Sequence, residues 1–317
     1  MKRANKAKGG KTIKAILNQA AQKLKKASTT PELDAEVLTG YALNKKRSWL
    51  FSNLQQKIDP NKTQKIESLI EKRAEQVPIA YLIKKKEFFN LEFKVTKDVL
   101  VPRPETETLV EQSLIKLKKS LQHPGKILFI DIGTASGCII ISIIKELQRK
   151  KIINGLNKLD FFATDISGKA LKVAKCNAEK HQISDKIDFF SGSLLKPILT
   201  LINTGGYSQV VIASNLPYIS KEKYEKAKKT IKFEPKKALL AGDGGLKVIR
   251  KLLEQLNNLA GLGEIRDIAA MLEIDSEQAH RIKKIIKQLN NLKLIGFSKD
   301  LNRKDRVATV INKCTMG

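Results

Sequence analysis

The chain has 317 residues, 42% of them apolar, enough for one large domain with a small one beside it, and too many for disorder throughout. Sixty Lys and Arg against 32 Asp and Glu give a formal charge of +28, yet only ten of the sixty are Arg, the type favoured for bidentate phosphate contacts. There is no 18-residue uncharged apolar stretch, and the Lys-rich N-terminus lacks an apolar signal core, so the chain is expected to be cytoplasmic, neither spanning a membrane nor exported.

Residues 1–26 hold nine Lys or Arg and no acid. Such a cluster suits phosphates, but the heavy use of Lys, Ile and Asn also fits a coding bias toward A and T, so charge alone names no ligand. Cys138, Cys176 and Cys314 lie far apart, and His123, His181 and His280 share no ligand-like spacing, so neither a disulfide nor a metal is expected. Ile13, Ile16, Leu17, Ala20, Ala21 and Leu24 recur at one-face helical spacing and predict a helix over 11–26. A second helix is expected to open at Pro31 with Thr30 as its cap and Glu32 and Asp34 in its first turn. A third covers about 60–76, with Ile66, Leu69 and Ile70 inward and Pro78 closing it. Residues 1–82 are therefore expected to form a small helical domain.

The texture then changes. Phe88, Leu91, Phe93 and Val95 in "EFFNLEFKV" suggest paired strands, and "VPRPETE" breaks them before a helix, giving a connector over 83–103. From 104 to 317, strand and helix patterns alternate: "KILFIDI", a helix from Gly137, "LDFFATDI", "SGKALKVAKCNAEKH", "KIDFFSG" and "YSQVVIASN". Alternation of this kind predicts an α/β domain with a doubly wound, mostly parallel sheet and a site at the strand C-termini. The segment 264–297 reads either as strand, helix and strand or as a helix-turn-helix; an alternating chain needs a fifth strand there, which favours the first.

Asp131 ends an apolar strand, and Gly133, Thr134, Ala135, Ser136 and Gly137 form the turn into the next helix. Glycines let the backbone approach a ligand, and helix N-terminal amides offer donors. The dinucleotide pattern G-x-G-x-x-G is missing, which disfavours pyrophosphate. Asp165, at the tip of the next strand, is placed to accept hydrogen bonds from two ribose hydroxyls; its bland alternative is a cap for the helix after Ser167. A nucleoside without pyrophosphate fits this pair, and S-adenosylmethionine is one.

The order of these acids and glycines, followed by Asn215-Leu216-Pro217-Tyr218 after the fourth strand, resembles the class I methyltransferases acting on planar nitrogens. An amide nitrogen is a poor nucleophile because its lone pair is delocalised. An enzyme helps by gripping both N–H groups and aiming the nitrogen at the methyl. Here the Asn215 side-chain oxygen and the Leu216 backbone carbonyl are the expected acceptors. Pro217 restricts the residue before it, and Tyr218 offers a ring face to the planar group.

Nearly the whole chain resembles the HemK-type peptide chain release factor glutamine methyltransferases, through "VLVPRPETE", "DIGTASGCI", "ATDIS", "SNLPYI", "KFEPKKALLAGDGGLKVI", "MLEI" and "KDLNRKDRVATV". The resemblance implies a seven-stranded methyltransferase sheet, with residues 1–82 recognising the substrate. It implies S-adenosylmethionine as cofactor, with S-adenosylhomocysteine as product. The substrate would be the Gln of the Gly-Gly-Gln loop in bacterial class I release factors, with no membrane and no nucleic-acid substrate. It also implies a loop at Pro102–Thr106 closing over the site, with Arg103 and Glu105 toward the substrate and Thr106 toward the cofactor. Three positions depart from the family pattern: Leu216 replaces a Pro, which is expected to loosen the loop; Ser193 replaces an Asp, leaving adenine to contacts such as Leu194; and Asp275 replaces a Gly. "NLPY" also resembles the ribosomal RNA adenine dimethyltransferases, so N6-methylation of rRNA adenine is the alternative; a nucleic-acid-binding helix-turn-helix protein is a third reading.

Overall fold

The structure is a computed structural model and describes residues 10–152 and 158–313. Cys314 and residues 1–9 of the basic N-terminus lie outside the described residues. Two compact units divide the chain, one running through Lys85 and the other starting at Lys86.

The first unit is helical. Ile13–Leu24 forms where the one-face spacing predicts it, capped by the Thr12 hydroxyl, and it buries Ile13, Ile16, Ala20 and Leu24. Pro31–Leu43 follows, but Thr30 makes no capping hydrogen bond; its hydroxyl turns toward Asp34 instead. Pro60–Ala74 is capped by the Asp59 carboxylate and buries Ile66 and Ile70. Short helices at Arg47–Ser52 and Ile79–Leu82 complete the unit. Asp34, nearly buried, accepts from the Arg73 guanidinium at 2.7 Å, tying the second of these helices to the Pro60–Ala74 helix.

A hairpin of β1 (Lys85–Phe88) and β2 (Leu91–Lys94) turns through Phe89 and Asn90, both in the left-handed region. Asn177 receives the Lys94 amide at 2.7 Å and donates to the carbonyls of Lys94 and Ser136, pinning the hairpin to the helix Gly168–Lys180.

The remaining strands, β3 (Lys126–Ile132), β4 (Leu159–Asp165), β5 (Asp188–Ser191), β6 (Tyr207–Ser214), β7 (Asp267–Glu273), β8 (Leu292–Lys299) and β9 (Asp305–Asn312), form one sheet in the order β5-β4-β3-β6-β7-β9-β8. All neighbours are parallel except β9, which runs antiparallel to both β7 and β8. The expected seven-stranded, mostly parallel sheet is therefore observed. Segment 264–297 resolves as β7, the helix Ala279–Lys287 and β8, which removes the helix-turn-helix reading.

Alternation along each central strand feeds two cores. Leu128, Ile130 and Ile132 of β3 join Val210, Ile212, Ile268, Ala270 and Leu272 on one face. Ile127 and Phe129 join Val211, Ala213 and Met271 on the other. Each Val, Leu, Ile, Met or Phe side chain among these contributes about 1.5–3 kcal/mol on burial. Because strands are apolar on both faces, only their tips can carry polar chemistry. The register sets Asp131 opposite Ala163 and Ala213, and Ser214 opposite Leu272, so the C-terminal tips of β3, β4, β6 and β7 lie along one edge. β3 is flanked by β4 on one side and β6 on the other, and at such a reversal of strand order a crevice opens. Among the described residues, no helix is long and apolar enough to cross a membrane.

Candidate active site

Asp131, fully buried near the end of β3, accepts the Thr134 hydroxyl at 2.7 Å through Oδ2, while its Oδ1 is buried with no partner among the described residues. Burial raises its pKa to about 7, Thr134 pulling the other way. A buried carboxylate oxygen without a donor costs free energy that a ligand donor would recover.

The turn after β3 is held by the Thr164 carbonyl, which accepts from Gly133 and Thr134 at 2.8 and 3.0 Å. Gly133, Ala135 and Gly137 all adopt positive φ. A Cβ on Gly137 would lie 2.9 Å from Ile141 and 3.3 Å from Ala174, so only glycine admits this close helix packing. The helix Cys138–Arg149 then starts with its free amides at the strand edge. Ser136 is buried, its hydroxyl without a partner among the described residues.

Asp165, at the tip of β4, accepts the Ala135 amide at 2.9 Å and the Ser167 amide at 2.8 Å, one on each oxygen. Burial raises its pKa, and these amides oppose the shift. The helix cap itself is the Ser167 hydroxyl, which accepts from Ala170, so Asp165 is not that cap. Beside it, Ile166 is 68% exposed, an apolar surface next to an acid where sequence reading named no residue. Leu194 is buried in the core and its carbonyl accepts the Thr164 hydroxyl at 3.1 Å.

The segment Asn215–Tyr218 leaves β6 under restraint from several sides. Ser214 donates to the Ile132 carbonyl at 2.8 Å. Asn215 donates from Nδ2 to the Thr106 hydroxyl at 3.1 Å, which turns its Oδ1 into the remaining acceptor. Leu216 is only 6% exposed and its methyl would stand 3.2 Å from a Cβ on Gly133. The Leu216 side chain packs into the core beneath the sheet edge, a contact that fastens the turn. Tyr218 donates its hydroxyl to Glu273 Oε1 at 3.3 Å, and its carbonyl accepts Gln278 Nε2 at 2.9 Å. Burial and Glu273 push the phenol pKa up, so it stays protonated.

The "FEPKKALLAGDGG" segment clamps this turn. Ile219 and the stretch 239–241 exchange backbone hydrogen bonds of 2.9 Å. Gly245, at φ +90°, passes so close to the Tyr218 carbonyl that a Cβ would lie 2.1 Å from it. Glu234, buried, pairs with the Arg103 guanidinium and accepts the Val101 amide at 3.4 Å. Arg103 thus ties down the loop at Pro102–Thr106 instead of projecting free. Thr106 is buried against Asn215, and Glu105 lies half-buried beside Glu273, raising that acid's pKa. Asp275 has φ −75°, an ordinary value, and caps the residues after β7 with Gln278 while pairing with Lys223 at 2.7 Å; no glycine is needed there.

The expected site residues thus gather on one sheet edge. Sequence reading did not single out Glu273, Glu234, Gln278 or Ile166. Glu273 carries the same signature as Asp131 and Asp165, an acid ending an apolar strand, but it fell in the one segment whose pattern was ambiguous.

The sequence family described as PrmC N-terminal domain matches residues 15–83. A release factor glutamine methyltransferase of Bacillus subtilis is 33% identical over 306 residues, covering 96% of this chain and 99% of that protein. Another from Dictyoglomus turgidum is 35% identical over 253 residues, covering 79% of this chain and 80% of that protein. Among solved structures, the hMettl16 catalytic domain in complex with a MAT2A 3′UTR hairpin aligns with a TM-score of 0.51 at 17% identity, covering 76% of this chain and 81% of that one, a likeness of fold.

Proposed function

The chain belongs to the release factor glutamine methyltransferases, and from that premise we propose that the strand-edge site transfers a methyl group to the side-chain amide nitrogen of the Gln in the Gly-Gly-Gln loop of bacterial class I release factors. The enzyme is of the S-adenosylmethionine-dependent class. The observation that carries the reading is the restrained Asn215–Tyr218 turn, whose amide oxygen stays an acceptor because Thr106 holds its nitrogen.

The residues present fit such a cofactor. The orphaned Asp131 oxygen suits a cationic amine, the Gly133–Gly137 turn brings backbone donors close, Asp165 suits paired hydroxyls, and Ile166 offers a face for a base. S-adenosylmethionine, when bound, supplies an electrophilic methyl on a sulfonium. The protein's own part is orientation. Asn215 Oδ1 and the Leu216 carbonyl accept the two amide N–H groups, Pro217 holds that carbonyl in direction, and Tyr218 packs against the planar amide. Arg103 and Thr106 act by holding the loop and Asn215, while Glu105 faces the substrate side. The helical unit before Lys85 recognises the release factor.

The rRNA adenine alternative has less support, since relatives that span most of this chain include release factor glutamine methyltransferases of Bacillus subtilis and Dictyoglomus turgidum. Incubation with methyl-labelled S-adenosylmethionine and equal amounts of a release factor and rRNA tests the choice. Mass spectrometry is expected to find the label on the Gly-Gly-Gln peptide; label in RNA would overturn the reading.

A further inference from the structure

The Tyr218 end of the strand-edge turn is held by a side chain that no step of the methyl transfer above uses. Gln278, only 6% exposed, follows β7 and donates from Nε2 to the Tyr218 carbonyl at 2.9 Å and to the Gly244 carbonyl at 3.3 Å. Its Oε1 accepts the Asp275 backbone amide at 3.3 Å. All three partners are main-chain groups of fixed polarity, so the amide is satisfied in one orientation only. The packing around it is close: a Cβ on Gly245 would lie 2.5 Å from Nε2 and 2.1 Å from the Tyr218 oxygen.

We propose that Gln278 is a positioning residue for methyl transfer, holding the Tyr218 main chain so that its ring presents a fixed face to the substrate amide. The inference rests on the role proposed for Tyr218 above. Glu273 accepts the Tyr218 hydroxyl at 3.3 Å, so the residue is pinned at carbonyl and hydroxyl alike. Burying an amide costs free energy unless it is hydrogen-bonded, and the bonds that satisfy it return little net stability in exchange for those to water. Their effect is directional: at one side chain they join the turn after β6, the Gly242–Gly245 segment and the cap after β7.

Asp275, one of the three positions that depart from the family pattern, sets where Gln278 stands. Its carboxylate accepts the Glu277 amide at 3.1 Å and its carbonyl accepts the Gln278 amide at 2.8 Å. The same carboxylate pairs with Lys223 at 2.7 Å, in the helix Lys221–Ile231 that follows the turn, so a second tie runs from this cap to the chain just beyond Tyr218. Being partly exposed, that ion pair contributes little by itself, and the buried Gln278 amide carries the restraint. Such a restraint matters to a transfer whose rate depends on aim, since a displacement of about 1 Å can cost roughly 10²-fold.

Gln278→Met keeps the length of the side chain and removes the donor. Assayed well below the Tm of the variant, kcat for release-factor methylation is expected to fall about tenfold, the fold-change that corresponds to one or two hydrogen bonds. Cofactor Kd and KM for the release factor should stay near wild type. In a Tyr218→Ala background the same substitution should change kcat by less than about twofold, because both changes act through one ring and such coupled pairs are non-additive. A residue serving stability alone would not show that coupling. Wild-type kcat in Gln278→Met, an undiminished loss in the Tyr218→Ala background, or a fall in kcat matched by an equal loss of cofactor affinity would each overturn the inference. If Gln278→Met does not fold, Gln278→Glu, which keeps the volume and sets a carboxylate oxygen against both carbonyls, takes its place with the same expectations; failure of both to fold assigns the amide to stability and overturns the inference. Single variants assayed alongside separate the two levels. Wild-type turnover by folded Asn215→Ala or Tyr218→Ala protein overturns the site reading and this inference with it, whereas impaired Asn215→Ala and Tyr218→Ala beside an unimpaired Gln278→Met overturn this inference alone.

Discussion

Both oxygens of Asp165 already accept backbone amides, from Ala135 and Ser167, so this side chain shapes the turn after β3 in addition to its proposed role toward a ligand. A carboxylate has roughly four acceptor positions, and the two amides leave room for two hydroxyls. Asp165→Ala is expected to weaken S-adenosylmethionine binding by about 10–100-fold, since a hydrogen bond to a charged group contributes roughly 1.5–3 kcal/mol. Titration calorimetry checks this, and unchanged affinity would remove Asp165 from the site. Asp131 and Asp165 were legible in the sequence because an acid closing an apolar run is rare enough to notice. Glu234 and Thr106 were not legible as anchors: their partners Arg103 and Asn215 lie 131 and 109 positions away along the chain, and no local pattern reports such pairings.

At the scale of elements, the central strands were readable because they are apolar on both faces, and the long helices because one face repeats. Short pieces such as Arg47–Ser52 carry too few turns to show a period. Capping was misplaced for a definable reason: Thr30 has the right chemistry for a cap, but its hydroxyl turns to Asp34, while Asp59, unremarked beside Pro60, caps its helix. The Asn215–Tyr218 turn shows the same limit, because whether Leu216 loosens it depends on a core contact that spelling does not reveal. Leu216→Ala should therefore destabilise the protein by about 2–5 kcal/mol, the cost of truncating a buried Leu, read as a lowered Tm. Leu216→Ala leaves the acceptor carbonyl in the backbone, so kcat should fall far less than in Asn215→Ala. Loss of turnover without loss of stability would contradict the anchoring role.

For the molecule as a whole, the net charge said least about function, and the buried acids say most about pH dependence. Asp131 has a folded pKa of about 7 against an ordinary 3.8, so between those values the folded state holds more protons than the unfolded one. Its contribution is fully present below the unfolded value and is lost as pH rises toward 7. Denaturant unfolding of cofactor-free protein should accordingly show a stability term that declines from pH 4 to pH 7 in wild type and is missing in Asp131→Asn; equal slopes would contradict the buried assignment. The proposed methyl transfer depends on one arrangement, an Asn215 oxygen kept free to grip a substrate amide. Its most direct test is the single-turnover rate of release-factor methylation by Asn215→Ala at saturating S-adenosylmethionine. A fall in rate by about 10²–10³ with cofactor affinity and Tm little changed is the predicted result; a folded, cofactor-binding Asn215→Ala enzyme running at the wild-type rate would contradict it.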